Sequence, residues 1–369
     1  MRARFAVFLL IIQSILLSAH WLIYETWVAF RAIPDAHGIT LLQVAMAALG
    51  VSFVSASWLA HQYRSRAVKL FYRAAAGWLG IVNFLFLAAC VCWLLWIVAS
   101  ILGLSIPRHQ VVTISYGVAV LASLYGVVNA RWLRVRRIKV KLPNLPESWR
   151  GRVAALASDL HLGHVNGVRF LQRIVTRLTR LAPDVVFLTG DLYDGTKVDP
   201  AEVAAPLRDL AAPLGTFFVT GNHEEFSDPS GYLKAVHNSG IRVLNGEKVT
   251  VDGLQIVGVP YHETVNPARF QEALERAAIE PGRASVLLSH APHALPAAEQ
   301  AGISMQLSGH THAGQIFPFT WFTRCIFRAY TYGLQRFRDM LVYTTAGAGT
   351  WGPPMRVGTH PEIVLIEFV

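Results

Sequence analysis

The sequence predicts a four-helix membrane domain followed by an α/β domain. Three observations carry that expectation: a charge-poor composition, a basic excess confined to the first third, and a change near residue 150 from long apolar stretches to short alternating runs. Of 369 residues, 53% are hydrophobic and only 15% charged, where a soluble domain typically has about 25% charged. Intrinsic disorder is excluded, since it needs low hydrophobicity and high charge. The formal net charge is +10, but residues 1–141 hold 14 basic and 2 acidic side chains, and the remainder holds 19 and 21. The C-terminal part therefore has no basic excess to meet a phosphate backbone, and no nucleic-acid partner is expected. The three cysteines, Cys90, Cys92 and Cys325, have spacings that fit neither a disulfide framework nor a cysteine zinc site.

The first domain is expected over residues 1–130. Apolar stretches run over about 5–24, 39–61, 76–104 and 110–130, and each reaches the ~20 residues that cross a bilayer as a helix. A soluble bundle would show polar faces, and Trp93-Leu94-Leu95-Trp96-Ile97-Val98 has none. No small-residue cleavage site follows the first stretch, so it reads as an anchor rather than a signal peptide. Trp21, Trp27, Trp58, Trp78 and Trp132 lie near the ends, where interfacial aromatics belong. The fourth stretch is the most polar, with Thr113, Ser115, Ser123 and Asn129. Basic residues are dense at the N-terminus, in the second loop (Arg64, Arg66, Lys69, Arg73) and after the fourth stretch, and sparse elsewhere. That alternation puts the catalytic part in the cytoplasm of an inner or plasma membrane protein. Residues 131–149 read as a basic linker, broken by Pro143 and Pro146. Its six basic residues suit either anionic lipid headgroups or a plain stop-transfer flank.

Residues 150–369 read as the α/β domain. Strands are expected at 153–157, 184–188, 216–219, 248–252, 254–259, 284–288, 303–307, 341–345 and 362–368. Helices are expected from an Asn166 cap to about Leu181 and near 202–211. Polar residues follow five strands directly: Asp159 and His161, then Asp191, then Asn222, then His290, then His310 and His312. Functional groups in α/β sheets gather at the C-terminal ends of strands. A lone Asp or His in a loop is usually a turn or solvated group. Five such loops, all with metal-ligand chemistry, point instead to one site. Mixed oxygen and imidazole donors suit Mn, Fe or Zn. Seven side chains exceed one tetrahedral site, whereas two divalent metal ions sharing one carboxylate would use all seven.

The blocks Asp159-x-His161, Gly190-Asp191, Gly221-Asn222-His223-Glu224, His290 and Gly309-His310-x-His312 occur in the order of the calcineurin-like metallophosphoesterase superfamily, which residues 150–369 resemble. Gly309-His310-Thr311-His312-Ala313-Gly314-Gln315 and Pro361-Glu362-Ile363 resemble its membrane-associated bacterial phosphodiesterase branch, which includes proteins with N-terminal transmembrane helices. The resemblance implies an αββα sandwich and a metal-dependent phosphoric ester hydrolase. It implies that Asp159, His161, Asp191 and His312 hold one ion, that Asp191, Asn222, His290 and His310 hold the other, and that a bridging hydroxide attacks phosphorus. His223 would face the phosphoryl group as proton donor, and Asp194 would orient it.

The expected reaction is cleavage of a phosphodiester or pyrophosphate bond in a phosphorylated substrate. Residues 316–340 mix large aromatics with Arg324, Arg328, Arg336 and Arg338, which suits a membrane interface and a lid admitting a lipid-linked substrate. The alternative for that segment is a β-hairpin and loop packed on the core. Alternative functions are a phosphomonoesterase or cyclic-nucleotide phosphodiesterase, or a binding scaffold without chemistry. His164, His293 and Tyr261-His262-Glu263 are further candidates near the pocket, and Glu224 is a candidate support or helix-start residue.

Overall fold

The computed structural model of the protein describes residues 2–31, 36–226 and 228–369. Asp35, counted above among the acidic side chains of the first part, lies outside the described residues. The chain divides into two compact units, Met1–Val128 with Gly352–Met355 and Asn129–Trp351 with Arg356–Val369.

In the first unit four helices follow one another: α1 (Arg2–Arg31), α2 (Ala36–Gln62), α3 (Arg66–Ile101) and α4 (Arg108–Arg131). All four are long and apolar enough to cross a membrane. The third starts ahead of the expected stretch, at Arg66, because Ser65 caps it and the basic residues Arg66, Lys69 and Arg73 form its first turns. Several polar groups on these helices bond within a helix or to a neighbouring one, as an apolar setting favours. Thr113 Oγ1 and Ser123 Oγ, which made the fourth stretch the most polar, donate back to His109 O and Ala119 O at 2.7 and 2.8 Å. Trp93 Nε1 donates to Thr26 Oγ1 at 2.8 Å, and the Tyr116 hydroxyl to Ile23 O at 2.8 Å.

The second unit holds two six-stranded sheets. The strands are β1 (Arg134–Val140), β2 (Val153–Ala157), β3 (Val185–Thr189), β4 (Thr216–Val219), β5 (Arg242–Val243), β6 (Glu247–Val251), β7 (Leu254–Val259), β8 (Ser285–Ser289), β9 (Met305–Ser308), β10 (Gly333–Phe337), β11 (Met340–Thr344) and β12 (Glu362–Phe368). One sheet has the order β1-β12-β2-β3-β4-β5 and the other β10-β11-β9-β8-β7-β6. Their inner faces meet through Leu156, Phe187 and Phe217 on one side and Ile256, Leu288, Leu307 and Tyr343 on the other. The outer face of the first sheet packs on α5 (Val168–Leu181) through Leu171, Ile174 and Leu178. The outer face of the second packs on the helices Pro267–Arg276 and Leu295–Gln300 through Phe270, Leu274 and Ala298. This is the αββα sandwich, and its near-continuous apolar strands follow from burial on both faces.

Four local features depart from expectation. The stretch read as linker contains β1, which pairs in parallel with β12 from Arg134↔Glu362 to Val140↔Phe368. Its arginines and lysines hid the strand, although Val135 packs into one core while Ile138 and Val140 pack into the other. Gly167, not Asn166, caps α5, because the Asn166 amide is used to bind Leu160 O at 3.0 Å. The helix near 202–211 is a short one at Pro200–Ala204, capped by Asp199, running into a 3-10 turn to Asp209. Segment 316–340 holds both a helix, Phe319–Phe327, and the hairpin β10–β11.

Candidate metal centre

Three strands of the first sheet and two of the second end at one edge. Asp159 and His161 follow β2, Asp191 follows β3 and Asn222 follows β4; His290 follows β8, and His310 and His312 follow β9. The strand ends are laced together by main-chain bonds: Asp159 N to Gly190 O at 3.1 Å, His161 N to Asp191 O at 3.0 Å, and Gly309 N to His290 O at 2.8 Å. Asp159, His161, Asp191, His310 and His312 all have positive φ, between 48° and 69°. Left-handed backbone is uncommon outside glycine, and such strain persists where surrounding structure over-determines it, often at functional sites. Glycines stand at two neighbouring positions for a reason of space. A Cβ on Gly221 would meet the Asp191 carboxylate, and one on Gly309 would meet Ser158 and the Asp159 carboxylate.

The seven side chains converge as two groups. In the first, His312 Nε2 lies 3.0 Å from His161 Nε2 and 3.4 Å from Asp159 Oδ1. In the second, His290 Nε2 lies 3.1 Å from both Asp191 Oδ2 and Asn222 Oδ1, and His310 Nδ1 is 3.0 Å from Asn222 Oδ1. Asp191 Oδ2 is also 3.8 Å from His161 Nε2, so this carboxylate reaches both groups. The donor atoms of Asp159, His161 and His312 all lie within 4.8 Å of one another, as do those of Asp191, His290 and His310. His161, Asp191 and His223 form a third such triad.

The chemistry of this donor set fits cations. Ring nitrogens and carboxylate oxygens face one another across about hydrogen-bonding distance, and the buried His161 Nδ1 has no hydrogen-bond partner among the described residues. Burial, and then neighbouring histidines, hold His161, His312 and His310 below the usual imidazole range, His310 at about 3. These rings are neutral at ordinary pH, the state a metal requires. Burial raises Asp159 to about 6. Burial likewise opposes charge at His290 and Asp191, but their mutual attraction overrides it, lifting His290 to about 10 and holding Asp191 well below the carboxylate range.

The sequence pattern of calcineurin-like phosphoesterases matches residues 153–314. An uncharacterized metallophosphoesterase of Aquifex aeolicus is 31% identical over 255 residues, covering 68% of this chain and 97% of its own. The chain belongs to the calcineurin-like metallophosphoesterase family. The matched part is the domain of metal-dependent phosphoesterases. A transmembrane protein with metallophosphoesterase domain from Danio rerio is 36% identical over 267 residues, 67% of this chain; the match spans only 60% of the relative's length. Among solved structures, a 5'-nucleotidase precursor from Thermus thermophilus aligns over 58% of this chain and 54% of its own at 14% identity and a TM-score of 0.36.

Around the metallophosphoesterase cluster, Glu224 is the main internal support. Fully buried, it accepts from the amides of Asp191, Tyr193 and Gly221 at 3.0, 2.9 and 2.8 Å. Burial raises it to about 7. His223 Nδ1 lies 3.1 Å from the main-chain carbonyl of Asp194, the residue expected to orient the ring. Asp194 Oδ1 accepts from the Thr196 amide at 2.7 Å, and Thr196 also meets buried His164. Tyr261 reaches the site as expected, its ring 5.5 Å from His310, whereas His262 is exposed beside Glu225. His293 lies 6.3 Å from His310.

Three aromatic rings stand beside the cluster: Phe327, from the aromatic-rich segment 316–340, and two that the sequence did not single out, Phe226 and Trp351. Phe327 closes the Phe319–Phe327 helix against His310 and His293, with ring centroids 6.0 and 5.6 Å apart. Phe226 and Trp351 lie 4.7 and 5.8 Å from His223 and remain 67% and 58% exposed. Their only sequence signal was a large aromatic in a polar or glycine-rich loop, which fits many roles.

Proposed function

We propose that the protein is a membrane-anchored phosphohydrolase that cleaves a phosphodiester or pyrophosphate bond in a lipid-linked substrate at the cytoplasmic face of the membrane. Anchoring is supported by α1–α4, and the side by the basic residues of the second loop and of residues 131–141. The lipid assignment rests on one observation: the Phe319–Phe327 helix buries none of its residues, and its end reaches the metal cluster through Phe327. Phe319, Trp321, Phe322 and Ile326 are each about half exposed or more, and Arg324 and Arg328 accompany them. Apolar and basic groups combined in this way suit an amphipathic phosphorylated ligand.

Asp159, His161, Asp191 and His312 would hold one divalent ion, and Asp191, Asn222, His290 and His310 the other. Bound there, two ions neutralise phosphoryl oxygens and acidify the attacking water. The chain's own residues supply the rest. His223 lies within 4.0 Å of Asp191 Oδ2, at the junction of the two groups, and would deliver a proton to the leaving oxygen. With Nδ1–H turned to the Asp194 carbonyl, Nε2 would face the substrate, and the imidazolium form would carry there the proton to be delivered. Phe226 and Trp351 flank that ring and would exclude water from the leaving group.

The test is the full chain in nanodiscs, loaded with Mn²⁺, assayed on a long-chain lipid diphosphate or diester, a water-soluble diester and a monoester. Changing Phe319, Trp321 and Phe322 to serine should lower kcat/KM on the lipid substrate alone. Equal loss on the lipid and soluble diesters would end the lipid assignment, and preference for the monoester would end the diester one.

A further inference from the structure

Arg356 is fully buried and is among the largest fully buried side chains of the protein. It has no ion-pair partner among the described residues. Its guanidinium is spent on main-chain carbonyls. Nη2 donates to Ala346 O and Gly349 O at 2.7 Å and to Gly347 O at 3.3 Å. Nη1 donates to His312 O and Thr359 Oγ1, both at 3.3 Å, and Nε to Gly349 O at 3.2 Å. Nη2 also stands 3.3 Å from Nδ1 of the His312 ring. The Arg356 carbonyl is itself held, accepting from the Asn129 amide at 2.9 Å.

Burying an unpaired cation costs several kcal/mol, so filling space cannot be its purpose; an aliphatic side chain would do that better. What an arginine adds is a rigid planar fork with five donors, able to reach separate segments at once. The segments it joins have one thing in common. His312 belongs to the first donor group directly. The 346–349 segment belongs to it through Asp159: Ala348 N donates to Ser158 O and Gly349 N to Asp159 O, both at 2.9 Å. Gly347 lies so close to Asp159 that a Cβ there would come within 2.7 Å of the aspartate's own. None of these bonds touches Asp191, Asn222, His290 or His310.

We propose that Arg356 is a positioning residue for one metal ion only, the one held by Asp159, His161 and His312. It fixes His312 from behind and presses the 346–349 segment against Asp159, keeping both left-handed residues in ligating geometry. Lysine keeps the charge but not the fork, so the position is specific for arginine. The proposal rests on the two-ion assignment above.

The experiment is metal binding by the full chain in detergent, stripped of metal and titrated with Mn²⁺. Bound ions are counted by mass spectrometry, and exchange-coupled ion pairs are detected by electron paramagnetic resonance. Wild type should bind two ions and show the coupled signal. Arg356→Lys should keep one tight ion and weaken the other by about 10–100-fold, as loss of support behind ligands typically does. Its spectrum should become that of an isolated Mn²⁺. Gly347→Ala keeps the arginine side chain but sets a Cβ against Asp159 at a left-handed position of the segment Arg356 holds, so it should give the same selective loss. Two ions at wild-type affinity in Arg356→Lys, or in Gly347→Ala where the lysine variant does not fold, would overturn the proposal. Failure of wild type to bind two ions would instead overturn the two-ion assignment.

Discussion

The two halves of the donor cluster are built differently. Asp159, His161 and His312 are buried and backed by main chain: the 346–349 segment, the Asp191 carbonyl and the guanidinium of Arg356. Asn222 and His310 are only partly buried, and the His310 side is faced by the rings of Tyr261, His293 and Phe327. The first half is thus closed from behind, while the second, anchored at His290 by Thr189 O, is faced on its His310 side by rings. The contrast teaches where a substitution should be felt: in metal retention behind the first half, in substrate handling around the second.

Asp191 belongs to both halves, and its loss should have the largest effect. Asp191→Asn should bring activity below detection and cut the bound ions, counted by elemental analysis, below two per chain. A variant that kept two ions and substantial turnover would erase the distinction between shared and separate donors.

His223 sharpens the comparison next. It sits in a triad with His161 and Asp191, which is compatible with ligation, yet it also faces the exposed Phe226 and Trp351. As a proton donor its replacement by alanine should lower kcat by roughly 10²–10⁴-fold with two ions retained. Loss of an ion instead would move His223 among the ligands.

The smallest expected effect is at Phe327. Phe327→Ala should raise KM for a lipid substrate by about 2–12-fold, the equivalent of the ~0.5–1.5 kcal/mol an aromatic contact contributes. Metal content should not change. Steady-state kinetics beside elemental analysis would show whether this wall touches substrate or supports His310.

What the sequence revealed and what it concealed follow from the range of each interaction. The convergence of the seven candidate donors was legible because few residue types bind metal, each follows an apolar strand, and Gly190, Gly221 and Gly309 sit beside them. The four apolar helices were legible because length and hydropathy are local properties. Strand β1 was not, since Arg134, Arg136, Arg137 and Lys139 outnumber its apolar residues and its pairing with β12 joins residues more than two hundred positions apart. Arg356 left no signal, because a buried arginine without a carboxylate is recognisable only from the carbonyls gathered around it. Asp194 shows a finer limit: proximity to His223 was legible, but the main-chain carbonyl 3.1 Å from the ring was not.

The placement of β12 has a consequence for biosynthesis. It lies inside its sheet, antiparallel to β2 and parallel to β1, although both neighbours are translated long before it. While the ribosome makes the intervening chain, β1 and β2 each carry an open edge of unpaired amides and carbonyls, the kind of edge that recruits other chains. Completion of this sheet therefore waits until Glu362–Phe368 has been made, although its other strands precede it.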